Sequence, residues 1–115
     1  MKAILIDAFS KTVTEVKLDG KKDMLDQWYH TIKADMVEVA HYINDHDSIL
    51  VDEEGLLKPC DHFFFYEGAH QPFAGNGLVV GVDEEGETVD CDISAAEVEH
   101  NVQFFTRQEV LDSFL

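Results

Sequence analysis

The chain has 115 residues, and its 24 acidic residues against 8 Lys and Arg give a formal net charge of −16. Its hydrophobic fraction of 45% is too high for a disordered acidic tail, so we expect one globular domain over residues 1–115. The apolar stretches are too short to span a membrane. Direct nucleic-acid binding is disfavoured as well, because nucleic-acid binders concentrate Lys and Arg on one face.

The first two elements are predicted to form a β-hairpin. Ala3–Phe9 is an apolar run broken only by Asp7, and Thr12–Leu18 alternates with several β-branched residues. The next element is a helix, because Met24, Trp28 and Ile32 recur at helical spacing after the candidate N-cap Asp23. We expect this helix to be the one long helix of the domain.

A second hairpin follows the predicted helix. Met36–Ile43 alternates, with Val37, Val39, His41 and Ile43 assigned to one face, and Ser48–Asp52 returns after the polar turn Asn44–Asp47. The pentapeptide Val-Asp-Glu-Glu-Gly closes this strand at Val51–Gly55. It occurs again at Val82–Gly86, but the flanking residues of the two copies differ. We therefore expect two similar strand-ending turns and no internal duplication.

The aromatic run Phe63–Tyr66 is typical of a buried strand. A loop with three glycines and a proline covers residues 68–77, and Leu78–Asp83 is predicted to be the next strand. Thr or Ser followed three residues later by Glu forms two candidate capping boxes, at Ser94–Glu97 and Thr106–Glu109, with Val102–Phe105 as a short edge strand between them.

These elements predict an α+β fold. We expect a single domain with a curved, mostly antiparallel sheet of five to seven strands. One long helix should follow the first hairpin, and one or two short helices should lie at the C-terminal end.

Three segments resemble a known family: Met1–Asp7, Val51–Leu57 and Gln71–Gly81 followed by Asp83–Gly86. The chain is similar over most of residues 1–100 to small phage and mobile-element proteins catalogued as domain of unknown function 3846. The most specific part is the loop with Pro72, Ala74, Gly75, Asn76 and Gly77 before an apolar strand. The family supplies no catalytic residues. The resemblance implies an accessory gene of a phage or plasmid, where small proteins often disarm host defences.

Acidic side chains are the main candidates for partner contact. Residues 59–115 carry 12 acids and one basic residue, a net charge of −11. A charge of this size favours rapid association with a basic surface, and acidic turns can imitate a row of phosphates. We therefore expect a cytoplasmic, non-enzymatic host-defence antagonist that binds a basic surface of a host protein. Mimicry of nucleic acid is one form that this binding could take. Simple solubility stays open as an explanation of the acidity. The candidate contact residues are Asp83, Glu84, Glu85, Glu87, Asp90, Asp92, Asp52, Glu53 and Glu54.

An alternative function is sequestration of a small ligand such as a nucleotide by the loop residues His70, Gln71, Gly75, Asn76 and Gly77. Glycine-rich loops can expose backbone N–H groups to anions, although Asn-Gly also serves hairpin geometry alone. An oligomer could bring a basic residue such as Lys2, Lys11 or Arg107 to this loop. A third possibility is a protein that only assembles with its own copies, through the Phe63–Tyr66 strand.

Metal, cofactor and enzymatic chemistry are not expected. The acidic segment does not follow the register of a calcium-binding EF-hand loop. Cys60 and His62 lack a second ligand pair at zinc spacing, and no local pattern supports Cys60 with His70 as a nucleophilic pair. The two cysteines, Cys60 and Cys91, are expected to be reduced thiols of a cytoplasmic protein.

Overall fold

The predicted first hairpin is confirmed in a computed structural model that describes residues 1–20, 23–34, 36–55 and 59–114. Strand β1 (Lys2–Asp7) pairs antiparallel with β2 (Thr12–Lys17), so that Asp7 lies opposite Thr12. Lys11 has a φ of 59° in the connecting turn. Leu56 and Leu57, which belong to one of the segments resembling the family, lie outside the described residues.

The helix after this hairpin begins as predicted but is short. In α1 (Met24–Ile32) the Asp23 carboxylate accepts hydrogen bonds from the backbone N–H groups of Leu25 and Asp26, which confirms the N-cap. The prediction of a long helix is wrong, since α1 has nine residues. Lys33 adopts a left-handed conformation with a φ of 60°. The backbone N–H groups of Lys33 and Ala34 both donate to the carbonyl oxygen of Tyr29. This C-terminal cap stops the helix.

The other elements divide into strands and two short helices. The strands are β3 (Val37–Tyr42), β4 (Asp47–Asp52), β5 (His62–Tyr66), β6 (Phe73–Ala74), β7 (Gly77–Val82), β8 (Thr88–Val89) and β9 (Val102–Thr106). The helices are α2 (Ala95–Asn101) and α3 (Arg107–Phe114).

The strands form two antiparallel sheets instead of the one sheet that the sequence predicted. The larger, six-stranded sheet has the order β2-β1-β7-β4-β3, with β8 beside β7. The smaller sheet has the order β6-β5-β9. The aromatic strand β5 pairs with β9 and packs Phe64 and Tyr66 against one face of the larger sheet. Apolar side chains of the two sheets thus bury each other. The α+β class is confirmed.

Elements pack on both faces of the larger sheet, and its central strands β4 and β7 are each buried over five consecutive residues. On one face Ile49 and Val79 pack against Phe64 of the smaller sheet and Val98 of α2. On the opposite face Leu50, Leu78 and Val80 pack against Ile32 and Trp28 of α1, together with Ala3 of β1. This second face carries only the nine-residue helix.

An irregularity in β3 changes which side chains share a face. The register with β4 shifts between Val39 and His41, so His41 lies opposite Ile49 while Val39 lies opposite Leu50. The prediction that Val39 and His41 point to the same side is therefore wrong, because a β-bulge breaks the period of two. His41 instead approaches Tyr66, with 5.7 Å between ring centroids.

The predicted helix starts near the C-terminal end are present. Thr106 and Glu109 form a reciprocal capping box: the Thr106 N–H donates to Glu109 Oε1 at 2.9 Å, and the Glu109 N–H donates to Thr106 Oγ1 at 3.2 Å. At α2 the Ser94 hydroxyl oxygen accepts from the Glu97 N–H at 3.1 Å. The edge strand predicted between them is β9.

Candidate functional site

The two acidic pentapeptides lie at opposite ends of the larger sheet. Strands β4 and β7 are antiparallel neighbours, with Val51 opposite Gly77 and Asp47 opposite Gly81. The first acidic turn follows β4, and the second follows β7. The paired strands separate the two ends by roughly 13 Å at a rise of about 3.3 Å per residue. Asp52, Glu53 and Glu54 therefore do not extend the second acidic turn into one row.

The end where β7 finishes is densely acidic. We define the acidic edge as the seven side chains of Asp45, Asp83, Glu84, Glu85, Glu87, Asp90 and Asp92, all of them exposed or half-exposed. Within the described residues, no Lys or Arg side-chain nitrogen lies within 4.0 Å of these carboxylates, although the Lys2 backbone N–H donates to Asp90 Oδ1 at 3.0 Å. The cationic partner that they do have is His46, whose Nε2 lies 3.6 Å from Asp92 Oδ1. The described residues thus leave the negative charge of the edge largely uncompensated.

The turn after β7 is held by Asp83. Its Oδ1 accepts hydrogen bonds from the backbone N–H groups of Glu85 and Glu87, both at 2.9 Å. Gly86 has a φ of 84°, a left-handed conformation that glycine adopts without strain. Asp83 is therefore committed to the turn, whereas the exposed carboxylates of Glu84, Glu85 and Glu87 make no hydrogen bond within the described part of the chain.

Asp47 anchors the other half of the acidic edge. It is fully buried, and its carboxylate accepts from Asn44 Nδ2 at 3.1 Å, from the Asp92 N–H at 2.8 Å and from the Ile93 N–H at 3.0 Å. Sequence reasoning missed this residue, although the polar turn that it shares with Asn44 was recognised. The bonds tie residues 92–93 to the start of β4, so Asp92 is held in place by the fold.

Gly81 allows the acidic segment to pass close to the sheet. A Cβ atom at this position would lie 2.3 Å from the backbone oxygen of Asp90 and 2.6 Å from His46 Nε2. Real Cβ contacts do not reach such distances, so any side chain at this position would displace Asp90 or His46. Glycine is required here for close approach and not for backbone conformation.

His46 lies among the acids of the edge. Its Nε2 is 2.9 Å from the backbone oxygen of Asp90. This hydrogen bond, followed by the charges of Asp92, Asp47 and Asp83, raises the pKa of His46 above its ordinary value of 6.5, although desolvation opposes the shift. Protonation of His46 therefore adds one positive charge to the acidic edge as the pH falls.

An open cleft adjoins the acidic edge on the face that carries α1. We call it the α1-side cleft; its volume is about 400 Å³, and its apolar surface includes Trp28, Leu50 and Val80. Glu38, Asp45 and Asp83 contribute carboxylates to its lining. Two further lining residues, Val39 and Tyr42, are 43% and 71% exposed.

Trp28 has an unusual environment in this cleft. Its indole Nε1 is buried and has no hydrogen-bond partner in the described part of the chain. Buried polar groups in folded proteins nearly always have a partner, so this donor is an exception among the described residues. The α1-side cleft thus combines apolar surface, carboxylates and one unused donor.

Three of the five residues of the predicted ligand loop make structural contacts. Asn76 is buried and accepts from the Ala8 N–H through Oδ1 at 3.0 Å. The Gly75 N–H donates to the His62 carbonyl oxygen at 2.8 Å, so it is not presented to a ligand. Gly77 belongs to β7, where a Cβ would lie 2.6 Å from Phe64 Cζ. These three residues are engaged by the fold.

His70 and Gln71, the other two residues of that loop, are exposed. They line a second cleft, which also contains Arg107. The expected approach of a basic residue to this loop needs no oligomer, because Arg107 of the same chain lines the cleft.

The two cysteines are free thiols, as predicted. Burial raises the pKa of Cys91 to about 11, so this group stays protonated at neutral pH and is not a nucleophile. Cys60 Sγ donates to the His62 carbonyl oxygen at 3.1 Å. Within the described residues no group of three or more His, Cys, Asp and Glu side chains is arranged to hold a metal ion. No helix in the described part of the chain is long and apolar enough to cross a membrane.

Comparison with known proteins gives a family and no further relative. A family model described as a domain of unknown function (DUF3846) matches residues 1–105. No curated protein and no solved structure matches the chain.

Proposed function

The chain belongs to the family of the domain of unknown function 3846, and from this premise we propose that it is a non-enzymatic accessory protein that binds a basic surface of a partner protein. The observation that carries the proposal is the acidic edge. Its seven carboxylates lie at one end of the larger sheet, and none forms an ion pair with a Lys or Arg side chain within 4.0 Å among the described residues.

Uncompensated carboxylates on a fixed backbone favour an external cation. Asp47, Gly81 and the Asp83 turn hold the edge, so little conformational entropy is lost when a partner binds. A basic partner would be attracted before contact, and this attraction weakens as salt screens the charges. The net charge of −16 acts in the same direction.

The α1-side cleft indicates which kind of partner segment would fit beside the acidic edge. A partner segment that carries Lys or Arg beside apolar residues would place its apolar side chains near Leu50 and Val80. Its cations would then lie close to Asp45 and Asp83. Apolar anchors surrounded by complementary charge are the usual composition of a specific interface.

The proposal also includes a biological setting. The phage or mobile-element origin implied by the resemblance makes the expected partner a defence protein in the host cytoplasm. Imitation of nucleic acid is the most specific form of this idea. The region available for it is the second acidic turn with Asp90 and Asp92, because the first acidic turn lies at the far end of the sheet.

A charge-neutralising triple variant tests the proposal. Glu84→Gln, Glu85→Gln and Glu87→Gln remove three charges whose side chains make no hydrogen bond within the described residues. The matched control is Glu15→Gln, Glu67→Gln and Glu99→Gln, which removes three exposed acids elsewhere. The measurement is retention of host proteins on the immobilised protein at about 0.1 M and roughly 1 M salt.

We expect the unmodified protein to retain host proteins at low salt and to release them at high salt. At low salt the edge variant should fail to retain these proteins, whereas the control variant should retain them. Equal retention by the two triple variants would refute the role of the acidic edge. Displacement of the retained protein by duplex DNA would support nucleic-acid mimicry, whereas unchanged retention would overturn mimicry and leave another basic surface as the target.

A further inference from the structure

A second cleft separates α3 from the loop between β5 and β6. Its volume is about 410 Å³, within the range of about 300–1,000 Å³ that is typical of small-molecule sites. Its apolar surface includes Phe63, Pro72, Leu111 and Phe114. Leu111 and Phe114 are 44% and 36% exposed, so α3 presents apolar side chains to this space.

Arg107 gives the cleft its charge. It is the single arginine of a chain with 24 acids, yet its guanidinium makes no ion pair within the described residues. Its Nε donates to the Cys60 carbonyl oxygen at 3.1 Å, and its Cζ lies 5.7 Å from the centroid of the Phe63 ring. These contacts orient the group and leave its remaining N–H donors available. A planar guanidinium suits two-point recognition of a carboxylate or phosphate.

His70 and Gln71 add polar groups to the same space. Both are exposed and line the cleft together with Arg107. An imidazole and an amide provide donors and acceptors for the polar edge of a ring, while the apolar residues provide surface for its faces. Convergence of a few polar groups on an apolar pocket is the usual composition of a ligand site.

We propose that this cleft binds a small aromatic anion, with its ring between α3 and the β5–β6 loop and its phosphate or carboxylate on Arg107. The site is independent of the acidic edge. Charge complementarity supports an anion, because within the described residues no carboxylate occupies the guanidinium. A nucleoside monophosphate is one member of this ligand class, and aryl phosphates and aryl carboxylates are simpler members.

The test measures affinity by calorimetry with matched probes. Adenosine monophosphate, phenyl phosphate and benzoate carry both a ring and an anion, whereas adenosine lacks the anion and inorganic phosphate lacks the ring. We expect at least one ring-bearing anion to bind, and to bind at least about ten-fold more tightly than adenosine or inorganic phosphate. Equal affinity for adenosine would overturn the role of Arg107, and equal affinity for inorganic phosphate would overturn the role of the apolar surface.

Two variants and one control locate the site. Arg107→Gln should weaken binding of the best probe by about ten-fold or more. Leu111→Glu should do the same by placing a carboxylate at an exposed position of the cleft, without removing a core residue. Lys17→Gln removes one charge from an exposed position on β2 and should leave affinity unchanged. If no ring-bearing anion binds the unmodified protein, or if both cleft variants keep its affinity, the proposal is wrong.

Discussion

Replacing Asp47 by alanine tests how the fold holds the acidic edge. The substitution removes the acceptor of three hydrogen bonds from Asn44, Asp92 and Ile93. The Ile93 N–H is buried and would lose its partner at a cost of about 1–3 kcal/mol. The Asp92 N–H is half-buried and adds about 1 kcal/mol, while the exposed Asn44 amide can turn to water. We therefore expect Asp47→Ala to lower the free energy of unfolding by about 2–4 kcal/mol, a large share of a typical total of about 5–15 kcal/mol.

Urea unfolding followed by circular dichroism measures this change. Asp45→Ala is the matched control, because Asp45 is an exposed acid in the same turn, and its effect should stay within about 0.5 kcal/mol. Hydrogen exchange should also show faster exchange of the Asp92 and Ile93 amides in Asp47→Ala. A stability within about 0.5 kcal/mol of the unmodified protein, or equal effects of the two variants, would refute this account of the buried carboxylate.

Three further predictions concern other parts of the chain. Gly77→Ala should lower the free energy of unfolding by about 1–3 kcal/mol in urea, since its Cβ would meet Phe64 Cζ at 2.6 Å; an unchanged midpoint would contradict this packing. Glu109→Ala removes half of a capping box and should cost about 0.5–1 kcal/mol by the same measurement, with Glu99→Ala as its control, because the Glu99 side chain makes no capping hydrogen bond in the described residues. The raised folded pKa of His46 stabilises the protein below its unfolded value of 6.5, and this contribution is lost as the pH rises through the folded pKa. Comparing His46→Gln with the unmodified protein across this range should show a stability difference that shrinks with rising pH, and a difference that grows would contradict the assigned contacts.

Local signals in the sequence predicted much of the secondary structure. The Asp23 N-cap and the Thr106–Glu109 capping box depend on residues within three positions of each other, so their chemistry is readable without tertiary contacts. Period-two alternation likewise identified β2 and β3. The short length of α1 has no such local signal, because neither Lys33 nor Ala34 is a typical helix-stop residue.

The sequence by itself determined the α+β class, the family and the acidity, because these depend on composition, periodicity and motif. Only the tertiary structure decided which acids share a surface: antiparallel pairing of β4 with β7 sends the two identical pentapeptides to opposite ends of one sheet. The tertiary structure also buries Asp47 beneath the acidic edge. It places Arg107 in the same cleft as His70, although about 40 residues of chain separate them, because packing joins distant segments. Such contacts follow from strand order and burial, which no local pattern in the chain encodes.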